Sequence, residues 1–291
     1  MANLVSLLIA GLATGAIYAL VAIGFTLLWQ TSQTINFAQG EFVMLPAFFV
    51  LAAMNLGLPF WLAALVGIAI SVAVLGAAFK HLLVDPMLRH GTLPLAIATM
   101  ALTLFLKEAV KTLYSAEASP FPSPVPAIDI HVLGVGVSLQ SLGIMLVAVA
   151  AVLLLNAFIS GTRLGRQMQA TAQNPTVARI LGVPVERMIL YTFLLNAGLA
   201  ALASLLVSPI YLAKFSNGDT LGLAAFIAAI VGGFNQVRGA IVGGLLLGVV
   251  GNLAAAYVST QYRDAVPLFV LIAVILFRPQ GLLGRLEERT V

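Results

Sequence analysis

Residues 4–29, LVSLLIAGLATGAIYALVAIGFTLLW, run for 26 positions without a charged side chain. A helix needs roughly 20 apolar residues to cross a hydrocarbon core of about 30 Å, so this stretch is long enough to span a bilayer. It exceeds the apolar centre of a secretion signal and lacks a basic start and a small-residue cleavage site, so it reads as a retained spanning helix. Eight further apolar runs follow, at about 41–56, 59–79, 94–113, 138–158, 188–210, 221–236, 239–257 and 264–277. The second, seventh and ninth are short, which suits tilted, half-inserted or re-entrant segments and predicts eight to nine passes.

Composition carries the same message. Of 291 residues, 61% are hydrophobic and only 8% charged, and mean hydropathy is +1.09. A water-soluble domain needs polar surface that this chain does not have, whereas a lipid-embedded one needs apolar side chains inside and out. The predicted fold class is therefore all-α, a polytopic transmembrane helical bundle forming one domain over 1–291. There is no cysteine, and His81, His90 and His131 are scattered, so no metal site is expected. The formal charge of +4 comes from dispersed basic residues that never cluster with aromatics, unlike a nucleic-acid surface.

Basic residues set orientation, because loops that carry them tend to stay cytoplasmic. With the N-terminus outside, the inner side receives Lys80, Arg89, Arg163, Arg166, Arg179, Arg187, Arg238, Arg278, Arg285 and Arg289, ten of the fourteen. Lys107, Lys111, Lys214 and Arg263 stay outside. The expected arrangement is N-terminus out and C-terminus in.

Two polar breaks interrupt the runs. In 114–137, SPFPSPVPAIDIHV (119–132) places Pro120, Pro122, Pro124 and Pro126 at alternate positions, which forbids a helix and favours extended chain. This external loop is either a connector or part of a docking rim for a soluble solute-binding protein. The second break, 160–187, contains GRQMQATAQNPTVARILGVPVER (165–187). Asn174 suits an N-cap, Pro175 the first helical position and Gly182 a left-handed C-cap, which specifies a short helix over 175–181. Arg166 to Gln173 is also helix-compatible, so the segment reads as a folded helix-turn element.

INFAQGEF (35–42) brings Asn36, Gln39, Gly40 and Glu41 into apolar sequence, where unpaired polar groups are costly. A broken helix lining a path is one reading. A carboxylate complementing a helix N-terminus is the other for Glu41. IVGGFNQVRGAIVGG (230–244) repeats the pattern with Gly232, Gly233, Asn235, Gln236, Arg238 and Gly239. Paired glycine-broken segments point to inverted repeats around a path; close helix packing, as for Gly239 with Gly243 and Gly244 with Gly248, explains the same glycines. Glu108 and Lys111 are spaced to pair, with Lys107 and Lys111 reaching for the outer interface. No helix places an unpaired carboxylate or histidine at its centre, which argues for an external energy source. No phosphate-binding Gly-Lys loop and no paired catalytic carboxylates are present, Glu287 and Glu288 lying in a charged tail, so the chain is expected not to be an enzyme.

Several of these stretches together resemble the branched-chain amino acid permease family of ABC importers: residues 15–48 with INFAQGEF, the 165–187 loop running into Phe193, Asn196, Gly198 and Ala201, the late glycine-rich segment, and FRPQGLLG (277–284). The resemblance implies a coupling element in which Arg166, Ala170, Ala172, Asn174, Pro175, Ala178 and Gly182 seat in a groove of a separate ATP-binding subunit. An amphipathic helix at the lipid headgroups is the alternative for that segment. The resemblance also implies a second related permease, two ATP-binding subunits, a periplasmic binding protein, a location in the bacterial inner membrane, and no cofactor. The translocation path would involve Asn36, Gln39, Gly40, Glu41, Gly232, Gly233 and Asn235. Other cargoes of such permeases (urea, other amino acids, small aromatic acids) stay open, as does a different class, the ion-coupled secondary transporter.

Overall fold

A computed structural model describes residues 2–126, 128–132, 135–263 and 265–284. Arg285 and Arg289, assigned to the inner side, and the tail carboxylates Glu287 and Glu288 lie outside the described residues. The helices are α1 (Ala2–Ser32), α2 (Gln39–Asn55), α3 (Phe60–Ser71), α4 (Asp85–Leu88), α5 (Thr92–Leu113), α6 (Leu139–Gly161), α7 (Arg163–Gln173), α8 (Pro175–Ile180), α9 (Val185–Tyr211), α10 (Asn217–Gly232), α11 (Val237–Tyr257) and α12 (Val266–Phe277). Among the described residues six continuous helical stretches are long and apolar enough to cross a membrane, and Gln39–Asn55, Asn217–Gly232 and Val266–Phe277 are shorter apolar helices. These are the nine apolar runs of the sequence, with the same three short. The chain is the all-α polytopic bundle that its composition demands.

The third span runs further than its hydropathy suggested. It continues from α3 through Val72–Ala78 and Lys80–Val84, wound as wider π-helix, into α4 and ends at Leu88. The widened turns lie where Gly76 meets α9: a methyl there would come within 3.1 Å of the Leu194 Cα. The proline-rich loop has no helix over 114–126, and Ser119 pairs with Ala213 in an isolated bridge. Beyond it, β1 (Asp129–Val132) and β2 (Val135–Ser138) form a small antiparallel hairpin that the sequence did not announce.

Two compact units share the chain, one made of Met1–Thr26, Pro124–Val149 and Leu223–Val291, the other of Leu27–Ser123 and Ala150–Gly222. In the first, α1 and α11 pack through small residues. A methyl on Gly248 would sit 2.2 Å from the Gly15 backbone, and one on Gly244 would sit 2.5 Å from the Ala19 nitrogen. Between helices in lipid there is no hydrophobic drive to associate, so such backbone approach supplies the van der Waals contact instead. Gly232 and Gly239 close the α10–α11 turn in the same way, a methyl on Gly232 falling 1.9 Å from the Gly239 oxygen. Gly233 holds φ +109° there. The FRPQGLLG stretch folds back, and the amides of Leu282 and Leu283 donate to the carbonyls of Val231 (2.8 Å) and Gly232 (2.9 Å), satisfying the open end of α10. The second unit is built on α2, α3, α5 and α9, with Phe42, Phe79 and Phe193 forming a chain of tilted and edge-on rings in its core.

Candidate functional site

The break between α1 and α2 lies in the second unit. Thr31 and Ser32 turn their hydroxyls onto the carbonyls of Leu27 and Leu28, ending α1, and Gln33 takes φ +52°. Asn36 then accepts the Ala38 amide on its side-chain oxygen at 3.0 Å, forming the turn that starts α2. Irregular backbone at membrane depth survives only where protein satisfies it. Here α5 does so: the Thr99 hydroxyl accepts the Phe37 amide and the Thr103 hydroxyl donates to the Phe37 carbonyl, both at 3.3 Å.

Gln39 opens α2 fully buried and meets Asn196 of α9, also fully buried. The two amides bond reciprocally. Gln39 Nε2 donates to Asn196 Oδ1 at 2.7 Å, and Asn196 Nδ2 donates to Gln39 Oε1 at 2.9 Å. Asn36 is close to Gln39, at 3.5 Å, too long for a strong bond. Further along, Pro46 interrupts α2, and the Ala47 amide donates to the Ser204 hydroxyl of α9 at 3.1 Å. A proline kink frees backbone groups, and a neighbouring helix takes one up.

Gly40 touches the first turn of α10: a methyl on it would lie 2.1 Å from the Gly218 oxygen, and one on Gly222 would lie 2.7 Å from the Gly40 Cα. Glu41, 1% exposed, packs against Gly218, and its Oε2 has no hydrogen-bond partner among the described residues. It interacts electrostatically with Lys107 and Asp219, which are ion-paired with each other. Lys107 is thus tied to the start of α10 and is not simply an interfacial anchor as the sequence suggested. Glu108 and Lys111 pair at 3.4 Å, as their spacing predicts. Glu41 lies in the first turn of α2, a buried carboxylate at a helix start.

Of the other path candidates, Gly232, Gly233 and Asn235 belong to the first unit, where the glycines are buried in the α10–α11 turn and Asn235 is half-buried. Among the described residues no group of histidines and carboxylates is placed to hold a metal.

The polar segment 160–187 is fully folded. Thr162 caps α7 by accepting the Gly165 amide at 2.9 Å, and Gly165 lies against the Phe158 and Ile159 carbonyls, 2.4 Å from where a methyl would be. Asn174 caps α8 by accepting the Val177 amide at 3.0 Å. At the other end Val183 donates to Ala178 at 2.9 Å and Gly182 to Arg179 at 3.1 Å, with Gly182 at φ +81°, a Schellman cap. Ala178 is buried, while Ile180 and Leu181 are 79% and 75% exposed. Two large apolar side chains are thus held out to the surface by a capped helix.

A chain of charges links this helix to the third span. Arg179 of α8 lies 3.7 Å from Glu186 of α9, which is 3.8 Å from the buried Lys80, itself 2.9 Å from Asp85. Sequence reading counted Lys80 and Arg179 only as loop charges and gave Asn196 no role. For Asn196 the signal was there, an amide in an apolar run; for Lys80 it was hidden by the unexpected continuation of the helix.

Short broken helices, a buried polar junction and one rigid, apolar-tipped polar element in a multi-helix membrane protein fit a transport permease, and the family that the chain matches is of that class. The chain matches the family of branched-chain amino acid transport system permease components over residues 7–275, and it belongs to that family. It is 33% identical to the high-affinity branched-chain amino acid transport system permease protein BraD of Pseudomonas aeruginosa, over 98% of this chain and 97% of that one. It is 33% identical to LivH, the protein of the same description in Escherichia coli, over 97% and 96%. The probable branched-chain amino acid permease LivH of Methanocaldococcus jannaschii is 26% identical over 91% and 88%. No solved structure matches the chain.

Proposed function

We propose that the chain is the membrane-spanning subunit of an ATP-driven importer of branched-chain amino acids. In the bacterial inner membrane it works beside a second related permease, two ATP-binding subunits and a soluble binding protein, with its N-terminus outside and C-terminus inside. ATP hydrolysis belongs to the partner subunits. The observation that carries the reading is the capped α7–α8 element with its exposed Val177, Ile180 and Leu181, in a chain of this family. Arg166, Ala170, Ala172, Asn174, Pro175, Ala178 and Gly182 shape that element for a groove on the ATP-binding subunit, and capping removes much of the ordering cost of docking. The path runs past Asn36, Gln39, Gly40 and Glu41, and past Gly232, Gly233 and Asn235.

Co-purification from the native host tests the reading. Recovery of ATP-binding subunits and a second permease, with leucine uptake into liposomes that requires ATP and the binding protein, is the expected result. Recovery of the chain alone, with uptake driven by an ion gradient, overturns it; the buried Glu41 beside Lys107 and Asp219 is what such a mechanism would use.

Two variants test coupling. A methyl on Gly182 meets nothing within 4 Å, so the cost of Gly182→Val is conformational, about 1–2 kcal/mol for left-handed backbone and more for a β-branched residue. Gly182→Val is expected to lose the ATP-binding subunits on purification and Gly182→Asn to keep them; equal retention argues against α8 as the docking helix. Lys80→Met removes the buried cation between Asp85 and Glu186, leaving Asp85 with His81 and Glu186 with Arg179. Breaking a buried pair costs about 3–5 kcal/mol, which the partial exposure of Asp85 and the exposure of Glu186 reduce to roughly 1–3. Uptake is expected to fall about tenfold with ATP hydrolysis retained; unchanged uptake per ATP shows that the charge chain transmits nothing.

A further inference from the structure

A recess of about 490 Å³ opens in the second unit between the π-helical turn at Val72, α6 (Ala151, Leu154, Leu155, Phe158) and α9 (Leu194, Leu195, Gly198, Leu199). Every lining residue is apolar. Gly198 makes the floor, since a methyl on it would meet only Val72, at 3.9 Å. The recess is open on one side and apolar throughout, a slot between two helices that a hydrocarbon chain can fill.

One end of the recess is cationic. On α9 the positions 187, 191, 194, 195 and 198 fall on one face, so Arg187 lies about 10 Å beyond Leu194 on the side that lines the recess, with half-buried Tyr191 between them. Beyond the end of α6, Arg163 follows Phe158 by five residues, at the start of α7. Both arginines are exposed, and neither forms an ion pair among the described residues. The nearby acid, Glu186, faces Lys80 and Arg179. Arg166 turns to the Gly161 carbonyl.

We propose that this is a binding site for one anionic phospholipid, with an acyl chain between α6 and α9 and the headgroup phosphate held by Arg187 and Arg163. Because α6 and α9 are the two helices that flank the α7–α8 element, the lipid sets their separation and so tunes coupling. The binding itself stands on the geometry; only its effect on coupling rests on the function proposed above.

Native mass spectrometry of the purified complex, titrated with phosphatidylglycerol or phosphatidylcholine, tests the site. Each arginine near a lipid surface favours an anionic headgroup about fivefold. The wild type is expected to retain one phosphatidylglycerol at roughly 25-fold lower concentration than phosphatidylcholine. Arg187→Gln should cut that preference about fivefold, and Gly198→Leu should abolish retention of both lipids while the complex still assembles. Equal retention of the two lipids by the wild type overturns the proposal, as does unchanged retention in both variants. Loss of the second permease from Gly198→Leu, with lipid binding unaltered, assigns the recess to a protein interface and overturns it too. ATP hydrolysis in phosphatidylcholine nanodiscs with and without phosphatidylglycerol is the separate readout: a lipid bound without stimulation keeps the site and removes its regulatory role.

Discussion

Gly40→Ala is expected to reduce leucine uptake by roughly tenfold to a hundredfold while the protein still reaches the membrane. The new methyl would fall 2.1 Å from the Gly218 oxygen and 2.8 Å from its carbonyl carbon. Both are backbone atoms of the first turn of α10, so no rotamer change relieves the overlap. Either α2 or α10 must retreat, at the 1–3 kcal/mol typical of overpacking. Retreat also uncovers Glu41, whose unpartnered oxygen is kept from water by Gly218. Gly251→Ala is the control: nothing lies within 4 Å of that methyl, and alanine is the better helix former by about 1 kcal/mol. Uptake assays normalised to membrane content decide the matter, and near-normal transport by Gly40→Ala would show that the glycine contact is not needed in the transport cycle.

Asn196→Leu has the next largest expected effect, and it acts on stability. It removes both bonds to Asn196 and leaves the fully buried Gln39 amide only the long 3.5 Å contact from Asn36, costing about 1–3 kcal/mol for the stranded group. Interhelical hydrogen bonds in membranes are often worth less than this, about 0.6–1.7 kcal/mol, because the unfolded chain also finds partners. The discriminating measurement is therefore a cycle. With Gln39→Leu added, no polar atom of the pair is left to strand, so the double variant is expected to melt closer to the wild type than the sum of the single losses requires. A purely additive loss would mean that the two amides do not act as a pair.

The limits of the sequence are visible at these same residues. All nine apolar runs were legible because lipid leaves a spanning chain no alternative to helices, and their lengths alone marked the second, seventh and ninth as short. The α8 helix was legible for a local reason: Asn174, Pro175 and Gly182 sit within nine positions and each fixes its own backbone. Pairing was not legible. Gln39 and Asn196 each announce that a buried amide wants a partner, yet nothing local says that they want each other. Likewise Lys107 near a helix end reads as an anchor until folding brings Asp219 beside it. The β1–β2 hairpin escaped notice because its strands are short and follow a proline run that dominates the local signal. Lys80 was read as a loop charge because the apolar pattern stops at residue 79 while the helix continues, its lysine held by Asp85.

The fold-back of Leu282 and Leu283 onto Val231 and Gly232 bears on how the protein is made. These amides leave the ribosome well after α10 does, so that helix waits with open carbonyls until the 277–284 stretch has been made. A chain that stops at Arg278 would contain all nine apolar helices and still lack this closure. Quality control that senses an unfinished helix end would thus separate chains that carry the 277–284 stretch from ones that stop before it.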